Sequence, residues 1–299
     1  MKLLVVGNIT VDKLYKLDRF PNPGETILAK DTLVNLGGKG LNQAIVASKC
    51  SPDVNFLSAV GNKSNNESIL NYLKGNRLNY TLIEKEGFTD ESIIYSTKEG
   101  ENIIVSTDSI AKSIMPSETD KLLNQLDSGS IVLLQGNLSV ETTSYCIKVA
   151  KEKGAAVAIN LAPITHKYEE IWDKIDYLII NREESKILTE TDDVKEAINY
   201  LKKNLIKNVI ITLGKEGVIF CDQDMNISHL PVSKVSVKDT TGAGDTFTAV
   251  FIIGVTFFND IKKACKWANK AASITVTRTG TSNAFPDSEE LKEIRREVF

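Results

Sequence analysis

Asp239-Thr240-Thr241-Gly242-Ala243-Gly244-Asp245-Thr246-Phe247, running into the apolar stretch from Ala249 to Val255, reads as the start of a buried helix shaped to receive an anion. A threonine at the cap and two glycines without Cβ let a phosphate approach the unpaired N–H groups at the positive end of the helix dipole. Each glycine this early gives up about 1 kcal/mol of helix propensity against alanine, so helix stability alone does not account for the pair. Asp245 then adds a carboxylate in the first turn. Beside an anion cradle, such a group can take a proton from a hydroxyl attacking phosphorus. An acid pairing with the helix dipole, behind an ordinary cap and turn, is the plainer alternative. A dinucleotide site fits poorly, because the sixth position of Gly-x-Gly-x-x-Gly is Phe247.

A buried helix of this kind needs a covered sheet, and the chain supplies one. Short apolar runs at Leu3–Val6, Val54–Val60, Ile131–Gln135, Ala155–Ile159, Tyr177–Ile180 and Val209–Leu213 read as strands. Amphipathic segments at Ser64–Asn76, Val140–Lys153 and Asp193–Asn204 lie between them. Strands rich in β-branched residues and lacking polar alternation are covered on both faces, so the fold class is α/β, a three-layer α/β/α sandwich with a mostly parallel central sheet. Two stretches break the rhythm. Thr10 to Leu36, with Thr26-Ile27-Leu28-Ala29 alternating, and Glu91 to Thr107, around a turn at Lys98-Glu99-Gly100-Glu101-Asn102, read as antiparallel strands with one wet face. They suggest a small β-sheet beside the main one, serving as a lid or a dimer surface, or else a decorated edge of the main sheet. Neither is long enough to be independent, so the chain reads as a single domain, 1–299, with lid segments at about 10–36 and 91–107.

Composition narrows the function. The chain has 299 residues, 42% of them hydrophobic, and 36 basic against 39 acidic side chains give a net charge of −3. That balance gives no reason to expect nucleic-acid or membrane binding. The N-terminal apolar run is too short for a signal peptide and no segment reaches membrane-span length, so a cytoplasmic protein is expected. Cys50, Cys146, Cys221 and Cys265 are scattered, as reduced buried thiols would be. His166 and His229 have no cysteine partner nearby and read as loop residues rather than zinc ligands.

Three further motifs stand at turn positions. Gly37-Gly38-Lys39-Gly40-Leu41-Asn42-Gln43-Ala44 leads into a helix but lacks the P-loop spacing. Its glycines allow backbone to close on a small polar ligand and Asn42 offers a donor and an acceptor to a diol, although a flexible turn with a solvated lysine has the same appearance. Asn181-Arg182-Glu183-Glu184 follows a strand with the spacing of a capping box. Thr212-Leu213-Gly214-Lys215-Glu216-Gly217 ends another strand, where open α/β sheets bind ligands, or forms a simple turn.

Taken in order, these motifs with Gly7-Asn8-Ile9-Thr10-Val11-Asp12, Pro23-Gly24-Glu25-Thr26 and Asn160-Leu161-Ala162-Pro163 closely resemble the ribokinase branch of the PfkB carbohydrate kinases, from Val6 to about Pro286. The resemblance implies phosphorylation of a primary alcohol on a sugar or nucleoside by ATP with Mg²⁺. It makes Asp245 the catalytic base and the N–H groups of Gly242, Ala243 and Gly244 an anion hole. Thr10, Asp12, Gly38, Lys39, Asn42 and Asn137 would face the substrate. Asn181 and Glu184 would organise Mg²⁺ and phosphates through water, Thr212, Gly214, Gly217 and Asn269 would line the nucleotide, and Asp239 with the Thr241 backbone would form a monovalent-cation (K⁺) site. The small sheet, read above as a lid or a dimer surface, makes a homodimer through the lid the expected assembly.

Three positions depart from the ribokinase pattern. Thr10 replaces an amide, Asn137 replaces a carboxylate, and Ala284 stands where the cation loop Arg278 to Ala284 often carries a hydroxyl. The first two imply that D-ribose is not the best substrate. A nucleoside kinase of adenosine or pseudouridine type shares the catalytic motifs, and a non-catalytic metabolite or nucleotide sensor is the third reading. Retention of Asp245 and both glycines speaks against the sensor.

Overall fold

The computed structural model describes residues 3–98 and 102–298. In chain order its strands are Leu3–Val6 (β1), Thr10–Leu17 (β2), Asp31–Gly37 (β3), Val54–Gly61 (β4), Asn79–Lys85 (β5), Glu91–Thr97 (β6), Asn102–Ser106 (β7), Ile131–Gln135 (β8), Ala156–Asn160 (β9), Tyr177–Asn181 (β10), Asn208–Thr212 (β11), Val218–Cys221 (β12) and Ile227–Leu230 (β13). A nine-stranded sheet runs in the order β13-β12-β11-β10-β9-β8-β1-β4-β5. Pairing is parallel from β5 to β11 and antiparallel at β12 and β13.

The alternation within β1 explains the three layers. Leu3 and Val5 join one buried cluster, Leu4 and Val6 the other. Successive strand side chains point to opposite faces, so an unbroken apolar strand demands a hydrophobic layer on each side. Helices Lys39–Cys50, Ala243–Phe258 and Ile261–Thr275 supply the first layer, Val140–Glu152 and Val194–Lys203 the second. Helix Ala243–Phe258 is buried from Asp245 to Val255, and its Phe247 and Phe251 rings stack with centroids 6.1 Å apart. Burying Phe247, Val250, Phe251, Ile252, Ile253 and Val255 contributes about 1.5–3 kcal/mol each, together more than the glycines and β-branched residues of this helix lose in helix propensity.

The expected strands of the main sheet are present, with boundaries moved by a residue at β4, β9, β10 and β11. The small sheet corrects the reading in two respects. Its order is β3-β2-β6-β7, and the hairpins β2–β3 and β6–β7 are antiparallel, but the central pair β2–β6 is parallel, from Val11↔Glu91 to Leu17↔Thr97. Polar alternation marks a wet face but carries no information on the direction of a neighbouring strand. Thr26 to Ala29 are not a strand; pairing with β2 begins at the Lys30 N–H, which donates to Lys16 O at 2.8 Å, and the strand starts at Asp31. Of the turn expected at Lys98–Asn102, residues 99–101 lie outside the described residues.

Cys146, Cys221 and Cys265 sit in the core, where burial pushes the Cys146 thiol up to about 12. His166 is in a loop as expected, but His229 is on β13. Among the described residues no helix is long and apolar enough to cross a membrane.

Candidate active site

The parallel strands deliver their carboxyl ends to one edge of the sheet, and the polar residues gather there. Asn8, Gln135, Asn160, Asn181 and Thr212 end or follow β1, β8, β9, β10 and β11. This edge is where open α/β sheets place ligands.

Asp245 lies in the first turn of helix Ala243–Phe258, and the residue that caps this helix is Gly242, with φ 77°, not a threonine. A left-handed φ favours glycine, and a Cβ here would meet the Phe285 ring at 2.8 Å. Thr241 is engaged elsewhere, since its N–H and hydroxyl both donate to Asp239 Oδ1, at 2.9 and 2.7 Å, while Gly280 N–H donates to Oδ2 at 2.9 Å. Asp239 thus clasps the two loops that frame the helix start, and three donors take all but about one of its four lone pairs. The Ala243 amide donates to Thr240 O at 3.3 Å. A Cβ on Gly244 would meet nothing within 4 Å, so this turn faces open space.

Helix Lys39–Cys50 comes alongside and gives Asp245 its partners. Asn42 Nδ2 donates to Asp245 Oδ2 at 2.8 Å and Gln43 Nε2 to Oδ1 at 3.0 Å. The start of that helix is drawn close by Asn8, whose Oδ1 accepts from Gly40 N–H at 3.1 Å and whose backbone carbonyl accepts from Leu41 N–H at 3.0 Å. A Cβ on Gly40 would stand 2.6 Å from Asn8 N, and Gly38 has φ 95°. The glycines therefore serve close backbone approach. Asn8 and Gln43 join the expected residues here, and nothing local in the sequence marks their contacts, which bridge 32 and 202 positions.

From the small sheet, β2 contributes Asp12. Its carboxyl is buried, which raises its pKa; hydrogen bonds from Thr10 and Ser92 pull the other way, and the negative charge of Asp245 adds to the rise. Glu184 is likewise raised by burial, with Lys39 and the Asn181 amide opposing and Asp245 adding to the rise. Asp12, Asp245, Glu184 and Lys39 thus share one electrostatic neighbourhood. Asn181 and Glu184 form the expected capping box, with reciprocal bonds of 2.8 Å. Asn137 is buried, with its Oδ1 lacking any hydrogen-bond partner. A cavity of about 620 Å³ opens between Asp12 and Ile94 of the small sheet and Asp239, Thr241 and Gly280 of the main body.

Thr212, Gly214 and Gly217 lie further along the same edge, at the end of β11. Gly217 has φ 94°, and a Cβ on it would be 2.1 Å from Leu230 O. Asn269 Nδ2 donates to that same carbonyl at 3.3 Å, which places Asn269 beside Gly217.

A carboxylate at an open helix start, beside a cleft between two sheets, is the arrangement that a phosphotransferase of the α/β class requires. The chain belongs to the PfkB family of carbohydrate kinases, whose pattern it matches over residues 1–288. It is similar to a ribokinase of Lactococcus lactis, 31% identical and covering 99% of this chain and 98% of that protein. A deoxyribokinase of Salmonella typhimurium is 29% identical over 98% of both chains. Among solved structures, that of Arabidopsis thaliana ribokinase complexed with ribose and ATP superposes with a TM-score of 0.85 at 25% identity, covering 99% of this chain and 98% of that one. The fold is therefore ribokinase-like and the enzyme a phosphotransferase acting on a sugar hydroxyl.

Proposed function

We infer that this enzyme transfers the γ-phosphoryl group of ATP to a primary hydroxyl of a sugar, with Asp245 as general base. One observation carries the reading: a buried carboxylate, held by two side-chain amides, stands in the first turn of a helix whose start faces open space. Asp245 takes the hydroxyl proton as the sugar oxygen attacks the γ-phosphorus; the bond to the β–γ bridging oxygen breaks and ADP leaves. The N–H groups of Gly242, Ala243 and Gly244 face the developing charge, although the Ala243 amide must first release Thr240 O.

Around that step, Asp12, Asn42 and Asn137 receive the sugar hydroxyls with Thr10, Gly38 and Lys39 beside them. Asn137 Oδ1, buried without a partner, is an acceptor that a sugar hydroxyl would satisfy. Thr212, Gly214, Gly217 and Asn269 flank the nucleotide. Glu184, with Oε2 taken by the Asn181 amide, offers Oε1 to the water shell of Mg²⁺, which when bound neutralises phosphate charge. Asp239 Oδ2 and the Thr241 carbonyl would hold K⁺. The Arabidopsis relative's complex with ATP supports the nucleotide, and relatives named ribokinase and deoxyribokinase support a pentose-type acceptor. Within that class ribose is not the best substrate, because Thr10 and Asn137 are shorter or uncharged where ribokinases carry an amide and a carboxylate.

The small sheet acts as the lid, and its edge strands support a homodimer contact: Val34 on β3 and Ile104 and Val105 on β7 are more than half exposed. ADP release measured against a panel of pentoses, hexoses and nucleosides tests the function. Turnover on nucleosides alone would favour the nucleoside-kinase reading, and none on any acceptor would leave a sensor.

A further inference from the structure

Gln43 lies at the centre of a chain of side-chain amides that runs from the sheet to Asp245. Asn160 Nδ2 donates to the Ile179 backbone carbonyl at 2.9 Å. A carbonyl can only accept, so Asn160 must turn its Oδ1 the other way, where it accepts from Gln43 Nε2 at 2.9 Å. Gln43 Nε2 also donates to Asp245 Oδ1 at 3.0 Å, and Gln43 Oε1 accepts from Gln135 Nε2 at 2.9 Å. Every amide orientation thus follows from one backbone carbonyl on β10. Reversing Gln43 would set its Oε1 against both the carboxylate and Asn160 Oδ1.

The far end of the chain is left unsatisfied. Gln135 Oε1 is buried with no hydrogen-bond partner, and both Gln43 and Gln135 are fully buried. Apolar side chains of the same size would fill this space without an orphan acceptor, and replacing both partners of a buried hydrogen bond by apolar groups is often neutral or stabilising. A purely structural role therefore does not explain the chain, whereas a fixed donor at Asp245 does.

We propose that Gln43 is a positioning residue for phosphoryl transfer, its amide oriented by Asn160 and Gln135 so that an N–H fixes the Asp245 carboxylate in the plane that receives the acceptor proton. The proposal rests on Asp245 being the base. Asn42 holds the other oxygen from a position that also faces substrate, so its contact is exchangeable when sugar binds. Gln43 lies behind the carboxylate and keeps its contact throughout the cycle.

The test is kinetics on Gln43→Leu, Gln135→Leu, Asp245→Asn and the pairwise doubles, with melting temperatures on the same preparations. Gln43→Leu lowers kcat by up to about 10²-fold, the scale for misplacing a reacting group by an ångström, while KM for sugar and for ATP stays within about threefold. Gln135→Leu gives a smaller loss that is not multiplied by Gln43→Leu, because it acts only through that residue. In the Asp245→Asn background, Gln43→Leu causes no further loss. Multiplied losses in that background, or a kcat unchanged in a variant that is only less stable, would overturn the positioning role. Should Gln43→Leu misfold, Gln135→Leu decides alone: kcat unchanged from the parent overturns the role. An Asp245→Asn enzyme with nearly parental turnover instead removes the base assignment itself.

Discussion

The Thr10 hydroxyl donates to Asp12 Oδ1, two residues further along β2, at 2.6 Å. Thr10 therefore orients the carboxylate rather than offering its proton to a ligand, and Ser92 bonds the same carboxylate from β6 while accepting from Ser106 on β7 at 2.9 Å. Thr10→Val keeps the shape and removes the bond. Sugar KM should rise about tenfold, the value of one well-placed hydrogen bond to a charged group, with ATP KM unchanged. Equal sugar affinity in the variant would reduce Thr10 to packing.

Specificity is tested at the same place. The double variant Thr10→Asn/Asn137→Glu restores the amide and carboxylate and should raise kcat/KM for D-ribose about ten- to a hundredfold relative to other pentoses. Parent enzyme that already ranks ribose first, or a double variant that gains nothing, would show that these positions do not select the sugar.

Asp245→Asn should retain nucleotide binding and lose about 10²–10⁴ in kcat, the range for a positioned general base. Turnover within about threefold of the parent sinks that role.

The two glycines of the helix start should behave differently. Gly244→Ala puts a methyl into open space where phosphate must come, so melting is unchanged or slightly raised and turnover falls. Gly242→Ala meets a positive φ and the Phe285 ring at 2.8 Å, and so destabilises the fold itself. Thermal melts beside kinetics distinguish them; a Gly244→Ala enzyme of full activity would make that glycine structural.

Burial raises the Asp12 carboxyl above 3.8 in the folded chain. The native state then holds more protons than the unfolded one from 3.8 up to the raised value, so this group's contribution to stability falls as pH rises through that window. Asp12→Asn should flatten the dependence and leave the ligand-free protein at least as heat-stable at about pH 7, while weakening sugar binding. A melting temperature at that pH well below the parent's would mean that the carboxylate stabilises the fold.

Much of this was legible in advance because periodicity and turn chemistry are local. The β1 run Leu3–Val6 and the capping box of Asn181 and Glu184 each follow from a few neighbouring residues. The parallel pairing of β2 with β6 joins segments far apart in the chain, Val11 with Glu91 at one end, and has no local signature. The same holds for Gln43: its contacts with Gln135, Asn160 and Asp245 span 92 to 202 positions, and glutamine in a helix carries no mark of them. Gly242 took the cap from threonine because Asp239 had already claimed Thr241.

Since β2 and β6 leave the body side by side in the same direction, and the strands that return, β3 and β7, form the outer edges, the small sheet is fastened along one margin by both outgoing and incoming chain. It would swing like a hinged board rather than as two separate flaps. Asp12 rides on the board and Asp245 stays with the frame. On the lid reading, alignment of the acceptor and expulsion of bulk water become a single event, and an alcohol too small to engage Asp12 would leave the cleft ajar and ATP exposed to hydrolysis.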